Sequence, residues 1–312
     1  MVQFSELSRR QFLKTAGSAA AASVAVPVIV ASSALERGGP AVAGEAAAPG
    51  GAGPQGKPQM KLSFMTFVCP DWQTEKIVKF ARQAGYDGVE IRVDAGHKHG
   101  ISSASSAEAR RATRKLFGDE GVAIASVATS VQFATPSAET HKQNLAAAKA
   151  NLDLAASLGA PVVRMFAGGG IAKLTPEAAQ QVAAAFDEVG EYAKGSGACP
   201  ILECGHDIIK GAAEAAEVIR RARTPNFGVL WNDSKMDDLT FAALKDRLRH
   251  FHVHDEILNP NNTNLVDLAR RMKGIGFHGY ASLEIIWDKN VPEDLLRETA
   301  LRLKRQIAQG WG

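Results

Sequence analysis

The chain has 312 residues, with 36 Lys and Arg against 33 Asp and Glu and a formal net charge of +3. Cleavage after residue 43 would remove four basic and two acidic residues, which leaves 32 against 31 and a net charge of +1. A balance this even excludes binding of nucleic acid or an anionic membrane surface through bulk electrostatic attraction. The segment beyond residue 60, about 250 residues, is the length of one large domain with a full core.

Paired arginines stand ahead of an apolar, Ala-rich run at the N-terminus. Residues 8–14 read Ser-Arg-Arg-Gln-Phe-Leu-Lys, and Ala41–Ala43 offers a small-x-small cleavage site. This arrangement resembles the twin-arginine export signal. It predicts a cleaved signal peptide over residues 1–43, a flexible linker over 44–60, and export to the periplasm by the twin-arginine export machinery. A retained membrane anchor is the alternative, but Ala, Ser and Pro span a bilayer poorly, so we expect no stable membrane span after cleavage.

Short apolar runs alternate with Ala-rich amphipathic stretches from residue 60 onward. The runs predict eight strands, at 62–68, 88–93, 122–129, 162–167, 201–204, 227–231, 248–254 and 281–287. The stretches between and after them predict eight helices, at 71–84, 105–119, 137–158, 175–195, 209–222, 239–246, 264–274 and 292–309. Eight strand–helix units predict an α/β fold, a (β/α)8 TIM barrel that forms a single domain over residues 61–312. An open doubly wound sheet is the alternative, but no Gly-rich turn follows the first strand, and we interpret Gly168–Gly170 as a plain loop.

The three cysteines predict no disulfide. Cys199 and Cys204 lie five residues apart on one predicted strand, which places them roughly 16 Å apart along extended chain. That separation is too large for a bridge, and Cys69 has no evident partner.

Polar side chains concentrate at the C-terminal ends of the predicted strands, which form the active-site rim of a TIM barrel. Side chains alternate between the barrel interior and the helix layer, so one parity aims Glu203, Asn232, His252 and Glu284 inward from four neighbouring strands. Two carboxylates, an imidazole and an amide oxygen suit one divalent ion, Mn²⁺ or Mg²⁺, with Zn²⁺ or Co²⁺ as alternatives. His250 lies deeper on the seventh strand, and we interpret it as a hydrogen-bonded core histidine.

Several phrases together resemble the xylose isomerase-like TIM barrels, the sugar phosphate isomerase/epimerase superfamily. These phrases are Gly85–Ile91, Ile201–Cys204, Phe227–Trp231, Arg249–Asp255 and Gly279–Glu284. The resemblance covers residues 61–312 and implies a metal held by Glu, Asp, His and Glu from strands five to eight. Glu203, His252 and Glu284 match that pattern, whereas Asn232 stands in place of the Asp and Lys235 in place of the His three residues later. Asp233 is an alternative ligand, one residue out of phase.

The resemblance also implies a mechanism, in which Glu203 and Glu284 take and return a proton next to a sugar carbonyl through an enediolate. His252 would be a metal ligand, and the implied partner is a small-molecule sugar or sugar derivative. Five residues are expected to contact the sugar: Arg164, His206, His254, Lys235 and Trp72. Trp72 would stack on the ring, with Phe67 or Trp231 as alternatives, and packing in the core is the other interpretation of these three aromatic residues.

Three functions remain open at this level. The first is an exported metal-dependent sugar isomerase or epimerase. The second is a lyase or hydrolase on oxidised sugars such as 3-keto-glycosides, which would use the same proton abstraction to expel a leaving group. The third is a non-catalytic carbohydrate-binding barrel whose metal site has decayed. An apurinic endonuclease is disfavoured because the rim has too few His and Asp residues for three metals. The sequence leaves the choice between monomer and homo-oligomer open.

Overall fold

A computed structural model of the protein describes residues 59–286 and 291–312. Within these residues the chain forms a closed barrel of eight parallel strands in sequence order, in which β1 also pairs with β8. The strands are β1 Lys61–Met65, β2 Gly88–Arg92, β3 Ala123–Ala134, β4 Val162–Gly168, β5 Cys199–Cys204, β6 Gly228–Trp231, β7 Leu248–Val253 and β8 Tyr280–Leu283. The predicted TIM barrel is therefore confirmed. The predicted signal peptide and nearly all of the linker lie outside the described residues.

A helix follows every strand among the described residues. They are α1 Thr74–Ala84, α2 Ala107–Asp119, α3 Ala138–Leu158, α4 Pro176–Ala193, α5 Ala212–Arg221, α6 Asp238–Leu244, α7 Asn264–Lys273 and α8 Glu293–Trp311. Local signals fix several of their ends. The Thr175 side chain accepts a hydrogen bond from the Ala178 amide ahead of α4, and Gly159 ends α3 with a φ of 77° that favours glycine. None of the described helices combines the length and the apolar character needed to cross a membrane.

Apolar side chains fill the layer between the strands and the helices, whereas the barrel interior is narrower and more polar. Val162, Ile201 and Leu230 form a small separate cluster inside the barrel, as the alternation along β4, β5 and β6 requires. Ser63 pairs with Ser282 across β1 and β8, and both are fully buried. Above this layer the interior carries charged side chains, which places them at the C-terminal rim.

Three strand ends lie three or more residues from the prediction. β3 continues to Ala134 instead of ending at Thr129. β1 stops at Met65 and gives way to a 3₁₀ turn over Thr66–Val68. β8 stops at Leu283, so Glu284 directly follows the strand, although its amide still donates to the Val253 carbonyl at 2.9 Å. That hydrogen bond keeps Glu284 in phase with Ser282. The cysteines Cys69, Cys199 and Cys204 are free thiols, as predicted.

Candidate active site

Four neighbouring strand ends bring Glu203, Asn232, His252 and Glu284 together. The registers pair Glu203 with Leu230 and His252 with Ser282, so the in-phase residues after β6 and β8, Asn232 and Glu284, face the same interior. All four side chains are buried, with between 0 and 9% of each residue exposed. The parity argument thus predicts the observed grouping.

His252 Nδ1 lies at the centre of the group. It is 3.1 Å from Glu284 Oε2, 3.1 Å from Asn232 Oδ1 and 3.9 Å from Glu203 Oε1. One ligand atom each from Glu203, His252 and Glu284 can be chosen so that all three lie within 4.8 Å of one another, which is compatible with a single ion between them. Asp233, the out-of-phase alternative, instead accepts a hydrogen bond from the Lys235 amide.

Glu90, a residue that the sequence analysis did not select, holds His252 from the other side. Both Glu90 carboxylate oxygens lie 3.2 Å from His252 Nε2, and Oε2 also lies 2.9 Å from His250 Nε2. All three side chains are fully buried. His250 is therefore a hydrogen-bonded core histidine, as expected. A carboxylate on one imidazole nitrogen fixes the ring so that the other nitrogen is aimed at Glu284 and Glu203.

Charges in this network shift several pKa values. Burial opposes ionisation, but His252 and His250 outweigh it and hold the pKa of Glu90 well below its usual range. Burial likewise opposes the charge on His252, yet Glu284 and Glu90 raise its pKa well above the ordinary value. The same pairing with His252 outweighs burial at Glu284 and lowers its pKa to about 2. The buried carboxylates of Glu90 and Glu284 are therefore stabilised in their ionised form by the neighbouring imidazoles.

His254 contacts two of the four central residues, Asn232 and Glu284. Its Nε2 lies 2.9 Å from Asn232 Oδ1, and its Nδ1 lies 3.2 Å from the Glu284 carbonyl oxygen. His254 is partly exposed, whereas His252 below it is not. His254 thus joins two of the four central residues and reaches the mouth of the barrel.

Arg164 and His206 flank Glu203. Arg164 Nε lies 3.2 Å from Glu203 Oε2, and its guanidinium carbon lies 4.1 Å from the centre of the Phe166 ring. His206 Nδ1 lies 3.9 Å from Glu203 Oε1, and 53% of its side chain is exposed. Three of the five residues predicted to contact a sugar, Arg164, His206 and His254, therefore lie around the central group.

The other two predicted sugar contacts lie elsewhere. The Trp72 ring packs 5.1 Å from the Phe80 ring on α1, and the Lys76 amine lies 4.2 Å from its centre. Lys235 is exposed and lines a separate cavity of about 620 Å³ beside α7. No contact within the described part of the chain joins either side chain to the central group. Strand parity fixes neither position, because both residues lie in loops.

The two remaining aromatic candidates also have protein partners. Trp231 is buried and donates through Nε1 to the Lys235 carbonyl at 2.7 Å. Phe67 lies under the Arg92 guanidinium, 5.7 Å from it. Trp231 therefore packs in the wall of the barrel, and Phe67 lies near the rim.

The donor set fits a divalent ion. Glu203 Oε2 is buried and makes no hydrogen bond among the described residues, since its 3.2 Å contact with Arg164 is an ion pair without hydrogen-bond geometry. Glu203, Glu284 and Asn232 supply oxygen and His252 supplies nitrogen, the ligand types that suit Mn²⁺, Mg²⁺, Zn²⁺ or Co²⁺. Asn232 contributes a neutral oxygen where a carboxylate would add a negative charge.

Sequence comparison decides the family. The sequence model of the xylose isomerase-like TIM barrel matches residues 78–306, more than half of the chain. The chain belongs to this family. A second model, the twin-arginine translocation pathway signal sequence, matches residues 6–26 and indicates export by that pathway. No curated protein matches the chain significantly.

Solved structures of similar fold include members with different activities. D-psicose 3-epimerase from Clostridium cellulolyticum H10 matches with a TM-score of 0.65 and 13% identity, over 81% of this chain and 99% of that one. The 3-keto-D-glucoside 4-epimerase from E. coli matches with a TM-score of 0.66 and 14% identity, over 79% and 100%. A probable 3-DHS dehydratase from Bacillus anthracis matches with a TM-score of 0.61 and 16% identity, over 78% and 99%. At these identities the likeness establishes the fold of this xylose isomerase-like barrel alone.

Proposed function

We propose that the protein is an exported, divalent-metal-dependent isomerase or epimerase that moves a proton next to the carbonyl of a sugar. The observation that carries the proposal is the convergence of Glu203 and Glu284 on His252 Nδ1 at the barrel rim. The periplasm is the proposed destination, in keeping with the signal sequence over residues 6–26. Export in the folded state would deliver the metal site already assembled.

Glu203, Asn232, His252 and Glu284 would hold the ion, which when bound supplies a Lewis acid that polarises the carbonyl. The two carboxylates approach from β5 and from the end of β8, so they can reach opposite faces of a sugar between them. One glutamate would take the proton, and the other would return it on the opposite face. Positioned carboxylates typically contribute ~10²–10⁴-fold to such a proton transfer.

Three neighbouring side chains would orient the substrate. His254 faces the mouth of the barrel from the Asn232 and Glu284 side, and His206 is exposed on the Glu203 side. Arg164 places a positive charge beside Glu203. Lys235 and Trp72 stay predictions for sugar contact, with no support from the contacts described above.

A lyase acting on 3-keto-glycosides is the second candidate. The 3-keto-D-glucoside 4-epimerase and the probable dehydratase share this fold, so the fold accommodates both oxidised sugars and elimination. Elimination would start with the same proton abstraction and then expel the aglycone.

Incubation in D₂O separates these functions. The Mn²⁺-loaded full chain is incubated with D-fructose, D-tagatose, D-psicose and an aryl 3-keto-glucoside, and the products are read by NMR. Deuterium beside the carbonyl of a new isomer identifies an isomerase or epimerase, whereas released aglycone identifies a lyase. Glu203→Gln and Glu284→Gln should each lower the rate by ~10²-fold or more. Glu256→Gln, whose carboxylate accepts from Ser234, is the matched control and should not. Equal activity in all four proteins would refute the assigned roles.

A further inference from the structure

Two buried arginines lie side by side at the rim, and the proposed proton transfer uses neither of them as base or ligand. Arg92 on β2 pairs in register with Ala128 on β3, and Ala128 pairs with Arg164 on β4. The two arginines therefore occupy one row across three strands, with Cα atoms roughly 10 Å apart. Arg92 is 9% exposed and Arg164 is 1% exposed. Burying two positive charges on one row is costly unless anionic groups face them.

The Arg164 guanidinium has N–H groups that no described residue accepts as hydrogen-bond donors. Its Nε and Nη1 make no hydrogen bonds among the described residues. Its charge is opposed by Glu203, 3.2 Å from Nε, and by the Glu284 carboxylate. The guanidinium carbon lies over the Phe166 ring, 4.1 Å from its centre, and the exposed His206 ring lies 5.6 Å from the same Phe166 ring. A guanidinium that is held over an aromatic ring and has unused N–H donors is a typical receptor for a planar carboxylate.

Arg92 is held more firmly and contributes mainly charge. Its Nη1 donates to the carbonyls of Val93 and Ala128, and its Nη2 donates to Ser130 Oγ, while its Nε makes no hydrogen bond among the described residues. Burial, with the positive charge of Arg164, lowers the pKa of Arg92 to about 10. Arg92 therefore remains charged at neutral pH and adds to the positive potential around Arg164.

The buried charges at the rim favour a monoanionic ligand. With a divalent ion bound and His252 neutral, the three buried carboxylates of Glu90, Glu203 and Glu284 oppose two buried guanidiniums and the ion, which leaves one positive charge among the buried groups. Asp94, which also interacts with Arg92, is exposed to solvent, which screens its charge. A further acidic residue, Asp207, already binds a backbone amide of the glycine loop at residues 168–170. The Asp207 carboxylate accepts from the Gly168 amide, and a Cβ on Gly168 would lie 2.6 Å from Asp207 Oδ2. That carboxylate repels a dianionic phosphate from the glycine loop.

We infer, on the basis of the proposed function, that the substrate is a sugar acid or keto acid whose carboxylate binds the Arg164 fork, with Arg92 adding charge. This assigns Arg164 an anionic partner that a neutral ketose lacks. It also orients the substrate, because a carboxylate fixed at Arg164 places the adjoining carbons beside Glu203.

Binding of two inert probes tests the assignment without turnover. D-Gluconate and D-glucitol differ at one carbon, a carboxylate against a hydroxymethyl group, and calorimetry gives the dissociation constant of each for the Mn²⁺-loaded full chain. We expect D-gluconate to bind at least ~30-fold more tightly. Arg164→Lys keeps the charge but removes the planar fork, so the ratio should fall to within about threefold.

Arg247→Lys is the matched control, because the Arg247 guanidinium carbon lies 4.4 Å from the centre of the Phe227 ring, a similar distance, but Arg247 precedes β7 at the opposite end of the barrel. Its ratio should equal that of the wild type. All three proteins share the same metal ligands, so chelation of Mn²⁺ by D-gluconate cancels in the comparison. Arg92→Gln should also lower the ratio and covers the case in which Arg164→Lys does not fold.

Equal binding of the two probes, or a ratio unchanged in Arg164→Lys, would overturn the inference. D-Glucitol 6-phosphate is the third probe, and tighter binding of this probe that depends on Arg164 would assign a phosphate in place of the carboxylate. If D₂O exchange fails but the binding ratio is intact, the proposed isomerase function is wrong and the anion site stands. If exchange occurs on neutral ketoses and D-gluconate has no binding advantage, the isomerase function stands and the inference of a carboxylate substrate is wrong.

Discussion

Replacing Glu90 with Gln should weaken metal binding although Glu90 is not itself a ligand. Its carboxylate spans His250 Nε2 at 2.9 Å and His252 Nε2 at 3.2 Å. An amide keeps the shape but removes the negative charge, and its NH₂ group would face an imidazole N–H. The His252 ring then loses the partner that aims Nδ1 at Glu203 and Glu284. Loss of such a partner costs ~10–100-fold in metal affinity, or about 1.4–2.7 kcal/mol.

Asp87→Asn separates this effect from a general loss of stability. Asp87 precedes β2 at the opposite end of the barrel, where it accepts from the Leu62 amide at 2.9 Å and pairs with Lys304 at 2.8 Å. Both variants should lower the midpoint of thermal unfolding, but only Glu90→Gln should raise the dissociation constant for Mn²⁺, measured by titration at pH 7.5. A folded Glu90→Gln protein with wild-type Mn²⁺ affinity would refute the positioning role.

Three further predictions concern separate parts of the molecule. Asn232→Asp adds a carboxylate to the donor set, so Mn²⁺ should bind about tenfold more tightly in the same titration, and unchanged or weaker binding would contradict Asn232 as a ligand. His99 accepts from the Ile101 amide through Nδ1 at 3.0 Å, and burial, with the nearby imidazole of His97, lowers its pKa to about 4. Because the folded pKa lies below the unfolded value of about 6.5, this residue stabilises the fold fully above pH 6.5 and loses that contribution, about 2–3 kcal/mol, as the pH falls towards 4. His99→Gln should flatten the urea-unfolding free energy across that window, and an unchanged pH slope would contradict it. Gly279→Ala places a Cβ 2.0 Å from the carbonyl oxygen of Arg249, so it should destabilise the barrel by about 1–3 kcal/mol, and an unchanged thermal midpoint would contradict that packing.

The sequence predicts the barrel and the central group because both follow from periodicity. Eight apolar runs with helices between them leave few alternatives, and a period of two along each strand determines which polar residues share the interior. Glu203, Asn232, His252 and Glu284 come together for that reason. The same argument identifies His250 as a buried histidine but not its partner.

Glu90 escapes sequence analysis because its partners are 160 and 162 residues away and lie on a strand that is not its neighbour. β1 and β8 separate β2 from β7 in the barrel, so the contact arises only when the cylinder closes. The inward phase shared by Glu90 and Arg92 on β2 was the available signal. Lys235 and Trp72 show the converse limit, since a loop has no period from which the direction of a side chain can be predicted.

Metal analysis of the purified full chain tests the central claim most directly. Elemental analysis after dialysis should find about one divalent ion per chain in the wild type and in Glu256→Gln. Glu203→Ala and Glu284→Ala should each lose it while circular dichroism shows the barrel intact. A wild-type chain that stays metal-free after incubation with Mn²⁺, Mg²⁺, Zn²⁺ and Co²⁺, or glutamate variants that keep the ion, would contradict the account.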